Sequence, residues 1–435
     1  MVNYRFKKTD SLKLKTLFFI LSFSLFACQL SGQSNDSLNQ AIPHPGASII
    51  SLNTSDDIAN SVVIAPDGNM FVSGYTNSRF TLFKITAGGR LVTSFGSKGI
   101  VKTSLKSGED LLSSILLFSN NKILVSGSAY NGQHNDFAML KFLPQGIIDT
   151  TFGTNGMFLM HARGGSDIAS SMALQPDGKI IVVGSSSDGN YDAFALARFK
   201  PEGVPDPSFG KNGMVVTDVR YGDDRINDVA IQPDGKIVVA GSSNTKLGAA
   251  RYLANGELDR SFGNNGITLT SVNDCEDIAS AIVLQGDGKI VVAGSSFNGE
   301  SFDFALVRYT TQGKPDASFG KGGIVVTSLG NGDDKVSDLL IQPDGKLVAG
   351  GSSFNGQSDD FALARYNHDG TLDKSFGNKG IVITSVQKGD EHIYSLALQG
   401  DGKIVAAGNT NNGYNNDFII LRFMPDGSLD PDFGK

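Results

Sequence analysis

A turn of the form QPDGK returns at near-even intervals along the chain, and a sequence built that way cannot be read as a string of unrelated domains. It falls at Asp67-Gly68, in degenerate form at Asn120-Asn121, and again at Asp177-Gly178, Asp234-Gly235, Asp287-Gly288, Asp344-Gly345 and Asp401-Gly402. The spacings are 53, 57, 57, 53, 57 and 57 residues, so the period belongs to the chain and marks a repeat architecture. One repeat occupies nearly everything after residue 46.

The unit beginning at Asp167 shows what is repeated. DIASSMALQ reads as a strand, PDGK as a tight turn, IIVVGSS as a second strand, AFALARF as a third and MVVTDV as a fourth. Asp-Gly between two apolar runs predicts a hairpin whose two central residues both take positive φ. Four strands in about 55 residues, seven times over, predict an all-β fold: a seven-bladed β-propeller of four-stranded antiparallel blades. No blade covers its own two apolar faces, so each needs its neighbours. A Phe-Gly pair recurs in the connection before the fourth strand, from Phe95-Gly96 to Phe433-Gly434. We read that Phe as a packing anchor and the Gly as the residue that lets the chain turn.

The ends complement each other. The chain stops at Phe433-Gly434-Lys435, before the last fourth strand would begin, and Gly46–Ser51 (GASIIS) aligns with Gly380–Ser385 (GIVITS). The N-terminal strand is therefore expected to complete the last blade and close the ring. The alternative phase places it innermost in the first blade.

The phrases QPDGKIVVAGSS, DFALARY, LDxSFG and GIVVTS resemble the delta-60 repeat family of bacterial secreted and surface proteins over essentially residues 46–435, with units one and two the weakest copies. The resemblance implies a β-propeller and carries no activity with it.

Before the repeats lies a different kind of sequence. Arg5, Lys7, Lys8, Lys13 and Lys15 precede the apolar run Leu17–Phe26, which is short for a membrane span and suits a secretory signal. Leu25-Phe26-Ala27-Cys28 resembles a lipobox. The expectation is a lipoprotein signal peptide over 1–27, lipidation at Cys28, a flexible tether over 28–45 and the propeller over 46–435. This predicts a monomer in the bacterial cell envelope, an outer-membrane lipoprotein facing the periplasm or the surface and touching the membrane through its lipid alone. Removing five basic residues and one acid with the signal takes the formal net charge from −7 to −11, which disfavours nucleic acid as a partner. Cys275 is then the one remaining thiol, so no internal disulfide can form.

Antiparallel strands send successive loops to alternate faces of the disc. The PDGK turns and SFG connections share one face, together with Lys179, Lys236, Lys289, Lys346 and Lys403. The other face collects acids, among them Asp136, Asp223, Asp224, Asp277, Asp333, Asp334, Asp360, Asp390 and Glu391, and is expected to bind a protein or cationic ligand, with Ca²⁺ the one cofactor such loops invite. The competing expectation is that these acids bond backbone amides or pair with Arg198, Arg251, Arg308, Arg365 and Arg422. Units one and four have shortened loops there, carrying Arg79 and Lys246. No metal site or catalytic set is predicted: the five histidines show no ligand spacing, and acidic neighbours make Cys275 a poor nucleophile. The best hint of an enzyme is Asp228 and Asp338, which stand in the first strand where Ser61, Ser114, Ser171 and Ser395 stand elsewhere. A binding scaffold is thus the preferred reading, ahead of a pore-centred hydrolase or lyase and of a purely structural envelope protein.

Overall fold

A computed structural model describes residues 43–52, 55–77, 79–104, 110–219 and 222–435. Cys28 and the rest of the signal segment lie outside the described residues. The described chain forms seven antiparallel sheets, in six of which strands follow one another in sequence order, a seven-bladed β-propeller. The first strands are Asp57–Ile64, Asp110–Leu117, Asp167–Leu174, Asp224–Ile231, Asp277–Leu284, Asp334–Ile341 and Glu391–Leu398. We number the blades 1 to 7 in that order. First strands of successive blades lie against one another, and that of blade 7 lies against that of blade 1, so they line the axis of a closed ring.

Ala47–Ile50 pairs with the third strand of blade 7, Asn416–Phe423, with Ala47 opposite Leu421. It is therefore the outer strand of the last blade, not an inner strand of the first. Pro43–His44 adds a two-residue ladder outside it.

Each core lies between blades. Phe304, Leu306 and Phe319 of blade 5 pack with Val336, Leu339 and Leu347 of blade 6 in one buried cluster. Second and third strands are buried almost throughout, as VVAGSS and FALARY composition requires when both sheet faces are covered. The first strands carry the same irregularity in every blade: the register slips by one residue, for example between Ala279 and Ala281. This bulge pushes the carbonyl of its strand toward the neighbouring one. There the repeat keeps a glycine, because a Cβ at Gly294 would come within 1.8 Å of the Ile278 carbonyl oxygen.

The PDGK turn differs from the two-residue, doubly positive hairpin expected. Gly178 N–H donates to the Gln175 carbonyl, and Gln175 N–H to that of Lys179, enclosing three residues. Of these only Gly178 has positive φ, at 82°. The same turn forms without proline at Gln285-Gly286-Asp287-Gly288 and at Gln399-Gly400-Asp401-Gly402, so the proline fits the first position of a type I turn without being its cause. What every copy shares is a three-residue loop closed by a left-handed residue.

Candidate functional site

Polar groups must be traced to their partners before any can be offered to a ligand. On the face of the PDGK turns the backbone accounting repeats at every joint, although the side-chain oxygens of Gln175, Gln232, Gln342 and Gln399 are buried without a partner. The amide of each Phe-Gly glycine donates to a carbonyl of the next blade: Gly96 to Gln145, Gly153 to Glu202, Gly210 to Asn255, Gly263 to Gln312, Gly320 to Asp369, Gly377 to Asp426, and Gly434 back to Gly88 of blade 1. The phenylalanine before each glycine is buried. In blades 3 to 7 an arginine lies over that ring, as Arg308 does over Phe319 at 4.5 Å. Arg308 also bonds Asp316 through Nε at 2.8 Å and crosses to the His368 carbonyl of blade 6. Lys289 of the turn reaches the same Asp316 at 3.1 Å. The arginines are thus paired, but with the aspartates of the connections and not with the acids of the other face. In blade 4 burial pushes Asp259 up, yet Ser261 and Arg251 outweigh it and leave the carboxyl at about 2.

Apart from Asp136, the nominated carboxylates fall into three groups. Asp224, Asp277, Asp334 and Glu391 open the first strands and are at most 1 % exposed. Each accepts the amide five residues upstream, as Asp277 does from Val272 at 2.9 Å and Asp334 from Leu329 at 2.6 Å. They hold the crossing from one blade to the next and are withdrawn from the surface. Burial, the leading cause, pushes Asp277, Asp334 and Glu391 above the ordinary carboxylate range.

Asp223, Asp333 and Asp390 sit one residue earlier and point the other way. One oxygen of each accepts the amide that starts the third strand of the preceding blade, from Asp192, Phe302 and Asp359 at 3.1 Å. Asp223 and Asp390 are exposed, and Asp333 pairs with Lys335 at 3.2 Å. Asp360, half-buried, accepts from Asn355 at 2.9 Å within its own loop. It lines a cleft of about 410 Å³ beside Phe354 and Asn331 on the rim of blade 6. These four carboxylates remain reachable from solvent.

Asp228 and Asp338 follow the bulges of blades 4 and 6. Asp228 accepts the amides of Val229 at 2.8 Å and Ile282 of blade 5 at 2.9 Å, and the Ser171 hydroxyl of blade 3 at 2.9 Å. Asp338 accepts those of Leu339 at 2.7 Å and Leu396 of blade 7 at 2.6 Å. Ser395 does the same for Val62 at 3.3 Å. The position after the bulge thus caps an amide of the next blade in blades 4, 6 and 7, whereas Ser171 of blade 3 gives its hydroxyl to Asp228 and blade 5 has Ala281 there. Burial raises Asp228 to about 6 and Asp338 to about 7, the charge of Asp228 adding to the second.

His392 lies 3.7 Å from Asp359 and its ring stands beside that of Tyr394; burial lowers its pKa and the carboxylate opposes the shift. Cys275 is exposed and free. What the sequence spacing did not reveal is that His134 and His161 come together, with Asp136 and Asp167. The only available signal was that each replaces a serine kept in other units, such as Ser301 and Ser328.

Residues 119–152, 175–209, 232–262, 285–319, 342–376 and 399–433 match the model of a β-propeller domain of unknown function, DUF5122. No curated protein has a similar sequence. Among solved structures the chain is similar to a catalytically inactive virginiamycin B lyase from Staphylococcus aureus crystallised with quinupristin (TM-score 0.54, 11 % identity, 87 % of this chain and 99 % of that one). It is also similar to a streptogramin B lyase (TM-score 0.52, 10 % identity, 86 % and 97 %). At such identities the likeness is one of fold.

Proposed function

Taking as premise that the chain is a β-propeller repeat protein, we propose that it is a binding scaffold of the delta-60 type, held in the bacterial cell envelope by a lipid on Cys28. It recognises a protein or cationic ligand with the loops opposite the PDGK turns. One observation carries this reading: Asp223, Asp333, Asp360 and Asp390 keep carboxylate surface in solvent on the face whose loop lengths vary, whereas the exposed turn aspartates of the other face, such as Asp177 and Asp234, each lie against the lysine of their own turn. Like charges gathered on one face raise the local concentration of cations.

The test is capture of partners from envelope extracts with and without Ca²⁺, comparing the parent with a variant carrying Asn at those four positions. The reading expects a specific partner retained by the parent and lost by the variant. Equal capture by both removes the acidic loops from the mechanism, and radiolabelled palmitate absent from Cys28 removes the anchor. A pore-centred hydrolase or lyase is the second reading, favoured by the raised Asp228 and Asp338. Their oxygens are already given to amides and a serine hydroxyl, which supports the scaffold instead.

A further inference from the structure

The joint between blades 2 and 3 departs from the repeat on both faces. On one, the arginine staple is replaced by Lys141, whose ammonium reaches the Pro201 carbonyl at 3.4 Å and lacks the planar fork that Arg198 uses at the next joint. On the other, two positions that hold serine in blades 5 and 6 hold histidine, and both imidazoles arrive at one place. Their rings stack with centroids 6.3 Å apart and planes 17° apart. His161 Nδ1 stands 3.0 Å from Asp136 Oδ1 and 3.2 Å from Asp167 Oδ2. Asp136 belongs to the third strand of blade 2 and Asp167 opens the first strand of blade 3, so the cluster straddles the joint.

The carboxylates are 7 % and 0 % exposed. Asp167 Oδ2 also accepts the Ala162 amide at 2.7 Å and Asp136 Oδ1 the Asn131 side chain at 2.9 Å. The two buried carboxylates meeting one nitrogen are held together either by a proton shared with His161 or by a metal ion. The spacing suits an ion. Zn²⁺-type ions hold imidazole nitrogen and carboxylate oxygen at about 2.0–2.2 Å, which sets neighbouring ligand atoms roughly 3.0–3.5 Å apart. An imidazole with two carboxylates also selects first-row transition metals over Ca²⁺, which prefers oxygen ligands alone.

We propose that Asp136, His161 and Asp167 form a divalent transition-metal site of the Zn²⁺ class, with His134 stacked on His161 and orienting its ring, and that the ion clamps blade 2 to blade 3. The site is independent of the partner-binding reading. Its role is structural: it fastens one of the two joints that lack the arginine staple, Lys84 holding the arginine's place in blade 1.

The full chain, solubilised in detergent, free of any histidine tag and stripped with a chelator, is titrated with Co²⁺ and then Zn²⁺. The expected result is one Co²⁺ per chain with the visible absorption of a low-coordinate nitrogen–oxygen site, its displacement by Zn²⁺, and a melting temperature that rises with Zn²⁺. His161→Ser installs the residue that blade 5 has at Ser328, so the fold should persist; affinity should fall about 100-fold or more, and about tenfold in His134→Ser. Circular dichroism in metal-free buffer checks the variants. No stoichiometric Co²⁺ spectrum in the parent overturns the proposal whatever the variants do. So does binding unchanged in His161→Ser, or a melting temperature that follows pH through the histidine range and ignores Zn²⁺, which identifies an imidazolium bridge.

Discussion

The two faces of this disc use the same residue types to opposite ends. On the PDGK face, aspartate, lysine and arginine are locked into one joint with the Phe-Gly pair, and the glycine amide bond recurs at all seven joints. On the other, adjacent aspartates part company: Asp224 turns inward to an amide while Asp223 faces solvent. Composition therefore does not distinguish a structural face from a recognition face. What distinguishes them is how much carboxylate surface is left to solvent, away from any lysine or arginine, once the bonds to the neighbouring blade are made.

The comparison is most exposed to test at Phe319. Phe319→Ala should cost about 3–5 kcal/mol in denaturant unfolding, because the ring fills a fully buried site beneath Arg308. A loss below about 1 kcal/mol would show that the joint is not what holds the blades. Next in size, Arg308→Met keeps the stem but abandons Asp316, Ser318 and the His368 carbonyl, and should cost about 1.5–3 kcal/mol. Arg308→Lys should recover only part of that, since one ammonium cannot reproduce the fork.

A smaller effect is expected from pH. Asp338, raised by burial to about 7 when folded against about 3.9 unfolded, contributes stability that is complete below pH 4 and is lost as pH rises through 7. Asp338→Ser, the residue that Ser395 supplies in blade 7, should therefore flatten the decline in urea midpoint between pH 5 and pH 8. An unchanged slope would place the titration elsewhere. Smallest of all, Asp223→Asn with Asp390→Asn should move stability by no more than about 0.5 kcal/mol. A large loss would make those acids part of the joint and leave the recognition face without its exposed charges.

Blade number, strand order and the ring closed by the N-terminal segment were all legible from sequence, because turn, glycine and phenylalanine recur where the backbone needs them. The turn type was misjudged because the loop encloses three residues and not two, so that only its last residue takes positive φ, with a proline before it at Gly178 and without one at Gly288. The bulge left no residue signature of its own; its trace is the glycine opposite it, such as Gly294, which reads merely as strand composition. Burial of Asp224 beside exposed Asp223 could not be read either, since neighbouring residues on an extended chain point opposite ways and the register decides which is inside. His134 and His161 meet because the third and fourth strands of blade 2 are antiparallel neighbours, so residues well separated in sequence face each other across one end of the blade.

Pairing of Ala47 with Leu421 joins the strand that precedes blade 1 to the last blade in a single sheet. A seam of that kind is the costliest contact in the molecule to find by diffusion, and it can be made only after every other blade has been synthesised. Until then Ile49 and Ile50 wait as an unpaired apolar edge, and blade 7 presents an open ladder to any other chain nearby. The ring that resists unzipping once complete is therefore most vulnerable to mispairing and domain exchange in the interval before its first strand meets its last.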